Sequence, residues 1–151
     1  MNKKFQTFLE ITKELNRHAI FPILYGSLGV SRLIKVKDID DIDIVIPNVW
    51  LVANFAKFKK IMEVIGYKQD SQYPHEFTKG EGQIGFEPKS ELKKDMGIEP
   101  EDIKWTVIDG IKFGELSAKH YLKIYGETLK LWNKRIAKME YKIKELKKLQ
   151  K

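Results

Sequence analysis

The chain has 151 residues, 42% apolar and 32% charged, with a formal net charge of +7 and no cysteine. Those values suit one domain with a real core, and they exclude a disordered chain, an eight-stranded α/β barrel, disulfides and thiolate metal sites. No apolar run approaches the ~18 residues that span a bilayer, and Met1 to Phe5 lead into no apolar core or small-residue cleavage site, so a cytoplasmic domain without a secretory signal is expected.

Phe5, Phe8, Leu9, Thr12 and Leu15 recur at helical spacing, which predicts an amphipathic helix over Lys4–His18. Ala19–Tyr25 is a short apolar run ending at glycine and reads as a buried strand. Leu28–Ile34 predicts a brief helix whose N-terminus faces the Gly26-Ser27 turn. Asp40–Pro47 predicts a second strand, stopped by Pro47. Asn48 is placed to cap a helix running to Ile65 and ended by Gly66, with Phe55, Phe58, Met62 and Ile65 as its apolar stripe. From Tyr67 to Pro88 the period changes to two, broken by a hairpin turn at Lys79-Gly80-Glu81-Gly82. Leu92–Asp102 reads as loop and short helix. Asp109-Gly110 between Trp105–Ile108 and Ile111–Phe113 predicts a second hairpin.

Ser117 is placed to cap a long final helix. Leu122, Tyr125, Leu129, Trp132, Ile136, Met139, Ile143 and Leu146 give it a heptad-like stripe, with Gly126 as the point where it could kink. Ser117–Lys151 carries 11 Lys+Arg against 3 Asp+Glu, so the net charge of the chain belongs to this segment. The organisation expected is a core over 1–116 and a basic helical extension over 117–151 packed on the same domain.

Chemistry concentrates between Tyr25 and Pro47. A Gly26-Ser27 turn after an apolar strand frees backbone amides to approach a phosphate, because glycine tolerates positive φ and has no Cβ in the way. Asp41 and Asp43 stand at i and i+2 of a strand and so point to one face. Such a pair can hold Mg²⁺, a hard cation that shares its shell with substrate phosphates. Asp38-Ile39-Asp40 offers a second register of the same pattern on the opposite parity. The later pair is preferred because it runs straight into Ile44-Val45-Ile46, a buried strand to stand on. Four aspartates within six positions would repel one another without a cation.

The Gly-Ser turn, a spacer and Asp41-Ile42-Asp43 together resemble the nucleotidyltransferase superfamily, the fold shared by DNA polymerase β and small bacterial nucleotidyltransferases. Pro74-His75-Glu76-Phe77-Thr78-Lys79-Gly80, then Gly85-Phe86, and Tyr121-Leu122-Lys123-Ile124-Tyr125 are similar to small bacterial proteins related to lincosamide-type nucleotidyltransferases. The resemblance implies an α+β domain, a mixed sheet flanked by helices with a long C-terminal helix. It implies that Asp41 and Asp43 hold Mg²⁺, as one ion or two, and that Gly26 and Ser27 cradle the β- and γ-phosphates of ATP or another nucleoside triphosphate. Arg32, Lys35 and Lys37 would add charge near the triphosphate, and Lys119 or Lys123 would match a lysine that reaches it from the last helical region. The reaction implied is attack of a hydroxyl on the α-phosphorus with loss of pyrophosphate. Active members supply a third carboxylate from a following strand, at the position where this chain has Gly85. Glu87, two residues on, and Glu76, opposite Gly85 if the turn spans Lys79–Gly82, are the candidates to replace it.

The expected partners are a nucleoside triphosphate and a hydroxyl acceptor: a small molecule, a protein side chain or a tRNA end. Two rival expectations remain: an inactive nucleotide-binding or toxin–antitoxin-type regulator of the same fold, and a basic protein that lays its last helix against tRNA or another polyanion. A homodimer through that helix would supply the acceptor wall that so short a chain lacks, and no membrane contact is expected.

Overall fold

The computed structural model describes residues 2–131 and 136–150, and side chains except those of 127–139. The first helix, α1, spans Lys3–Arg17; the Asn2 side chain accepts from the amides of Lys4 (2.7 Å) and Phe5 (3.2 Å), and Phe5, Phe8, Leu9, Ile11, Thr12 and Leu15 form its buried stripe. There follow β1 (Ile23–Tyr25), α2 (Gly26–Val30), β2 (Ile42–Ile46), a 3₁₀ turn at Asn48–Trp50, α3 (Phe55–Val64), β3 (Lys68–Gln69), β4 (Glu76–Lys79), β5 (Gly82–Pro88), α4 (Ser90–Lys94), a 3₁₀ turn at Pro100–Asp102, β6 (Lys104–Ile108), β7 (Ile111–Glu115), α5 (Ala118–Leu131) and α6 (Ile136–Lys148). No helix among the described residues is long and apolar enough to cross a membrane.

The strands form one mixed sheet in the order β3-β4-β5-β2-β1-β7-β6. β2 lies at its centre, antiparallel to β1 and parallel to β5. Strand alternation then divides the core. Leu24, Ile42, Ile44, Ile46, Phe77, Ile84, Phe86 and Phe113 face α1 and α3. Ile23 and Val45 face the other way, under Leu92, Ile98, Ile103, Leu116, Tyr121, Ile124, Tyr125 and Leu146. Asp43 shares the parity of Val45 and so belongs to this second face.

Both hairpins form where the sequence predicts them. Asp109 (φ +49°) and Gly110 (φ +81°) are both left-handed, as a two-residue turn matched to strand twist requires. Several boundaries move. Pro22 delays the first strand, which starts at Ile23. The helix expected at Leu28–Ile34 begins at Gly26 itself and ends at Val30. Asn48 does not cap a long helix: its side chain is bonded to the Ser90 hydroxyl (2.7 Å) and amide (3.0 Å), so it closes a 3₁₀ turn and α3 starts at Phe55.

The largest difference lies at the C-terminus, where the single helix expected from the heptad-like stripe is two helices, α5 and α6, packed on one another. Leu146 is fully buried in the same cluster as Tyr121 and Tyr125, with Leu122 and Ile143 packed against it, so the described part of the apolar stripe is used within the chain. A heptad stripe records which residues face a partner helix, and that partner is here the other half of the same segment. Gly126 stays helical. Leu129, Trp132, Ile136 and Met139 of the stripe lie outside the described side chains. Ser117 caps α5 as expected: its hydroxyl accepts from the His120 amide (3.2 Å), while His120 Nδ1 accepts from the Ser117 amide (3.2 Å).

Under α3, the Phe58 ring meets Phe86 edge-on at 4.8 Å and Phe77 at 5.8 Å, and Phe58 is fully buried. Phe58→Ala is expected to cost about 3–5 kcal/mol in urea unfolding, as transfer and cavity terms add; a loss under about 1 kcal/mol would mean that this cluster does not hold α3 to the sheet.

Candidate active site

The second face of the sheet carries Asp43 at its centre. β2 is registered so that Asp43 lies opposite Tyr25 of β1 and Gly85 of β5. Its carboxylate occupies the space that a side chain at Gly26 would need, and a Cβ at Gly85 would lie 3.3 Å from its Oδ1. Gly26 also has φ +66°. That position therefore requires glycine twice over, for its left-handed backbone and for room beside Asp43. The two glycines clear a slot in the sheet, and Asp43 fills it.

Asp41 sits in the bend before β2, exposed, two residues from Asp43 and of the same parity. Asp38 and Asp40 precede it in the loop and are exposed. The loop is anchored: the Asp40 amide donates to Ser27 Oγ (2.9 Å), and Lys4 Nζ donates to the carbonyls of Ile39 (2.6 Å) and Asp40 (2.7 Å). Ser27 is itself buried, so its hydroxyl fixes the height of the acidic loop beside the N-terminus of α2.

Glu76 pairs in register with Gly85, as the hairpin turn implied. Asp43, Gly85 and Glu76 thus stand abreast on β2, β5 and β4, with the two acids about 10 Å apart at Cα, two strand spacings, and only a glycine between them. Gln83 Nε2 donates to Glu76 Oε2 at 2.7 Å. Glu87, two residues beyond Gly85, opens on the same face, near Glu91. Burial, then the charges of Asp41, Asp40 and Glu76, push the Asp43 carboxyl up to about 7. Burial, then Glu91, then Asp43 and Glu76, raise Glu87 in the same direction. Among the described residues no three carboxylates or histidines converge tightly enough to enclose a metal alone. The donor set is the incomplete, all-oxygen one that suits Mg²⁺ completing its shell with phosphate oxygens and water.

Two of the basic residues named from the sequence are held by other partners. Arg32 Nε donates to Glu115 Oε1 (2.8 Å) and its guanidinium lies 4.5 Å from the Phe5 ring centroid. Glu115 has the parity of Phe113, so Arg32 serves the α1 face, opposite Asp43; against partial burial, the bonds from Arg32 and Thr106 hold Glu115 below the usual carboxylate range. Lys123 Nζ donates to the Gly97 carbonyl (3.3 Å), tying α5 to the loop after α4. Lys35, Lys37 and Lys119 are exposed.

The cation that sequence reasoning missed is Lys142 of α6. It is buried, with Nζ 5.7 Å from the Tyr125 ring centroid. Tyr125 in turn is raised by burial, then by Tyr25, Asp40 and Asp43. Tyr141 OH reaches the Lys35 carbonyl at 3.4 Å, so α6 lies against the loop that leads to the aspartates. The signal was present: Lys142 stands three residues after Met139 and four before Leu146, on the apolar face, where a solvated lysine does not belong.

Because Asp43 keeps its proton up to about 7 in the fold but only to 3.8 in an open chain, the unfolded state loses a proton first as pH rises. Stability without divalent cation therefore falls from about pH 4 to 7. Asp43→Asn is expected to flatten that slope and raise the metal-free melting temperature at pH 7.5 by on the order of 5 °C. Thermal melts in chelator check it, and an unchanged slope would contradict it.

No family model matches this chain. It is 34% identical over 129 residues to the uncharacterised protein YnaI of Bacillus subtilis (strain 168), across 84% of this chain and 83% of that one. Among solved structures, ANT(2")-Ia in complex with adenylyl-2"-tobramycin superposes with a TM-score of 0.68 at 14% identity, over 99% of this chain and 91% of that one. The lincosamide antibiotic adenylyltransferase LnuA, lincomycin-bound, superposes with a TM-score of 0.60 at 20% identity, over 97% of each. The chain thus belongs to the same family as YnaI and has the fold of these two structures.

Proposed function

We propose that the chain is a Mg²⁺-dependent nucleotidyltransferase, moving a nucleoside monophosphate from a nucleoside triphosphate to a hydroxyl acceptor. The observation that carries this reading is the Asp43 carboxylate held in a slot cleared by Gly26 and Gly85, beside Asp41 and the first amides of α2. A half-buried acid among like charges is costly to a fold unless a cation uses it. The fold shared with ANT(2")-Ia, solved with adenylyl-2"-tobramycin, and with the lincosamide antibiotic adenylyltransferase LnuA supports the same reading.

Asp41 and Asp43 would hold the metal, which neutralises charge on the triphosphate and on the leaving pyrophosphate when bound. The amides of Gly26 and Ser27 would donate to phosphate oxygens, and Lys142, packed on Tyr125 of the same face, would add positive charge there. Lys35 and Lys37, exposed in the loop before the aspartates, would add charge on the solvent side of the phosphates. Glu76, across the gap at Gly85, takes the acceptor proton, with Glu87 behind it as the neighbouring acid. The acceptor oxygen then bonds to the α-phosphorus as the bond to the bridging oxygen breaks and pyrophosphate leaves. Gly85 itself favours a second reading, in which the chain binds nucleotide without transfer, because the strand position beside Asp43 has no acid.

Calorimetry with each of the four nucleoside triphosphates, with Mg²⁺ and with chelator, tests binding. Wild type is expected to bind one or more with metal, and Asp43→Asn to bind at least about tenfold more weakly, the loss of one charge-assisted contact. Equal affinity in chelator or in the variant would overturn the site. Pyrophosphate release with hydroxyl acceptors then separates transfer from binding alone: release that falls in Glu76→Gln supports transfer, and binding without release supports the second reading.

A further inference from the structure

The far edge of the sheet is built to pair. β6 is its last strand, and its register with β7 runs Ile108↔Ile111, Val107↔Lys112, Thr106↔Phe113, Trp105↔Gly114 and Lys104↔Glu115. In a two-residue turn with both central residues left-handed, the flanking residues form the hydrogen-bonded pair. Ile108, Thr106 and Lys104 therefore exchange bonds with β7, and the N–H and C=O groups of Trp105 and Val107 point away from it, along the open edge. Neither residue makes any further backbone hydrogen bond among the described residues.

The side chains on that edge are apolar and exposed. Val107 is 63% exposed and Trp105 40%. The Trp105 ring is fixed in place: it crosses Gly114, whose added Cβ would lie 3.4 Å from the ring, and Lys112 and Lys89 ammoniums lie 5.4 and 5.9 Å from its centroid. Edge strands are commonly protected by proline, a bulge, an inward charge or lysines along the edge. β6 has no proline, and no bulge in its register with β7, and its one charge, Lys104, stands at its end and leaves Trp105 to Ile108 uncharged.

We propose that β6 pairs antiparallel with β6 of a second copy of this chain, about a two-fold axis at Thr106, joining the two sheets edge to edge. The sequence is self-complementary in that register. Trp105 of each copy meets Val107 of the other, an aromatic–β-branched cross-strand pair made twice. Both residues have outward backbone groups, so each Trp–Val pair is a hydrogen-bonded one and the edge gains four backbone bonds. Lys104 falls opposite Ile108, so no like charges are directly opposed. Thr106 meets its own copy as the non-hydrogen-bonded pair at the centre. An interface of one strand is at the low end of specific interfaces, so assembly at micromolar concentration is expected.

Sedimentation velocity from about 1 to 200 µM spans that range. Wild type is expected to pass from monomer to dimer. Val107→Pro deletes an N–H that β7 does not use, which an edge strand tolerates, and is expected to stay monomeric throughout. Thr106→Cys gives this cysteine-free chain one thiol; at a non-hydrogen-bonded pair the Cα atoms lie about 4.5 Å apart, within disulfide reach. Mild oxidation is expected to cross-link Thr106→Cys and to leave Val107→Cys, whose copies lie two residues out of register, as monomer. A wild type that stays monomeric with Thr106→Cys uncross-linked overturns the proposal, as does a dimer that persists in Val107→Pro.

Discussion

The central constraint on this fold is a carboxylate that has to be kept in the middle of a sheet. Asp43 is half-buried on the innermost strand, with Asp41, Asp40 and Glu76 all adding to its cost of ionisation. Everything around it follows from giving that group room and position. Gly26 at the start of α2 and Gly85 on β5 leave space on either side, Ser27 and Lys4 fix the loop that delivers the acids, and the second face is roofed by α4, α5 and α6 rather than closed over Asp43 itself. The other face is an ordinary apolar core under α1 and α3, and it supplies the burial that offsets strain elsewhere.

Local chemistry made much of this readable from the chain. Positive-φ turns are written in Asp109-Gly110 and Gly80, strand parity is written in Ile42-Asp43-Ile44-Val45, and a correct hairpin turn was enough to set Glu76 opposite Gly85. What stayed hidden depends on partners distant in sequence. Arg32 looks like a phosphate ligand until Glu115 and Phe5, from opposite ends of the domain, are seen to hold it on the wrong face. Asn48 looks like a helix cap until Ser90 claims its side chain. The C-terminal stripe has the same period whether its partner helix is another chain or its own second half, so periodicity alone could not reveal the hairpin of α5 and α6.

That hairpin also changes how the basic segment is understood. Its lysines are not simply a solvated stripe: Lys142 is folded under Tyr125, and Tyr141 touches the loop before the aspartates. The positive charge of the C-terminus and the negative charge of the β2 loop therefore meet across one end of the sheet. In the proposed reaction this juxtaposition gives a triphosphate a cation on one side and metal-binding acids on the other.

The most direct test of this account is where a metal–nucleotide complex sits. Backbone NMR of the ¹⁵N-labelled protein, titrated with Mn²⁺ and a non-hydrolysable nucleoside triphosphate analogue, reads proximity to the ion through paramagnetic broadening. Broadening centred on Gly26, Ser27, Asp41, Asp43 and Gly85, absent with Mn²⁺-free analogue, is the result predicted. Broadening centred on the exposed lysines of α6, or spread evenly over the surface, would contradict it and leave the carboxylate slot without its cation.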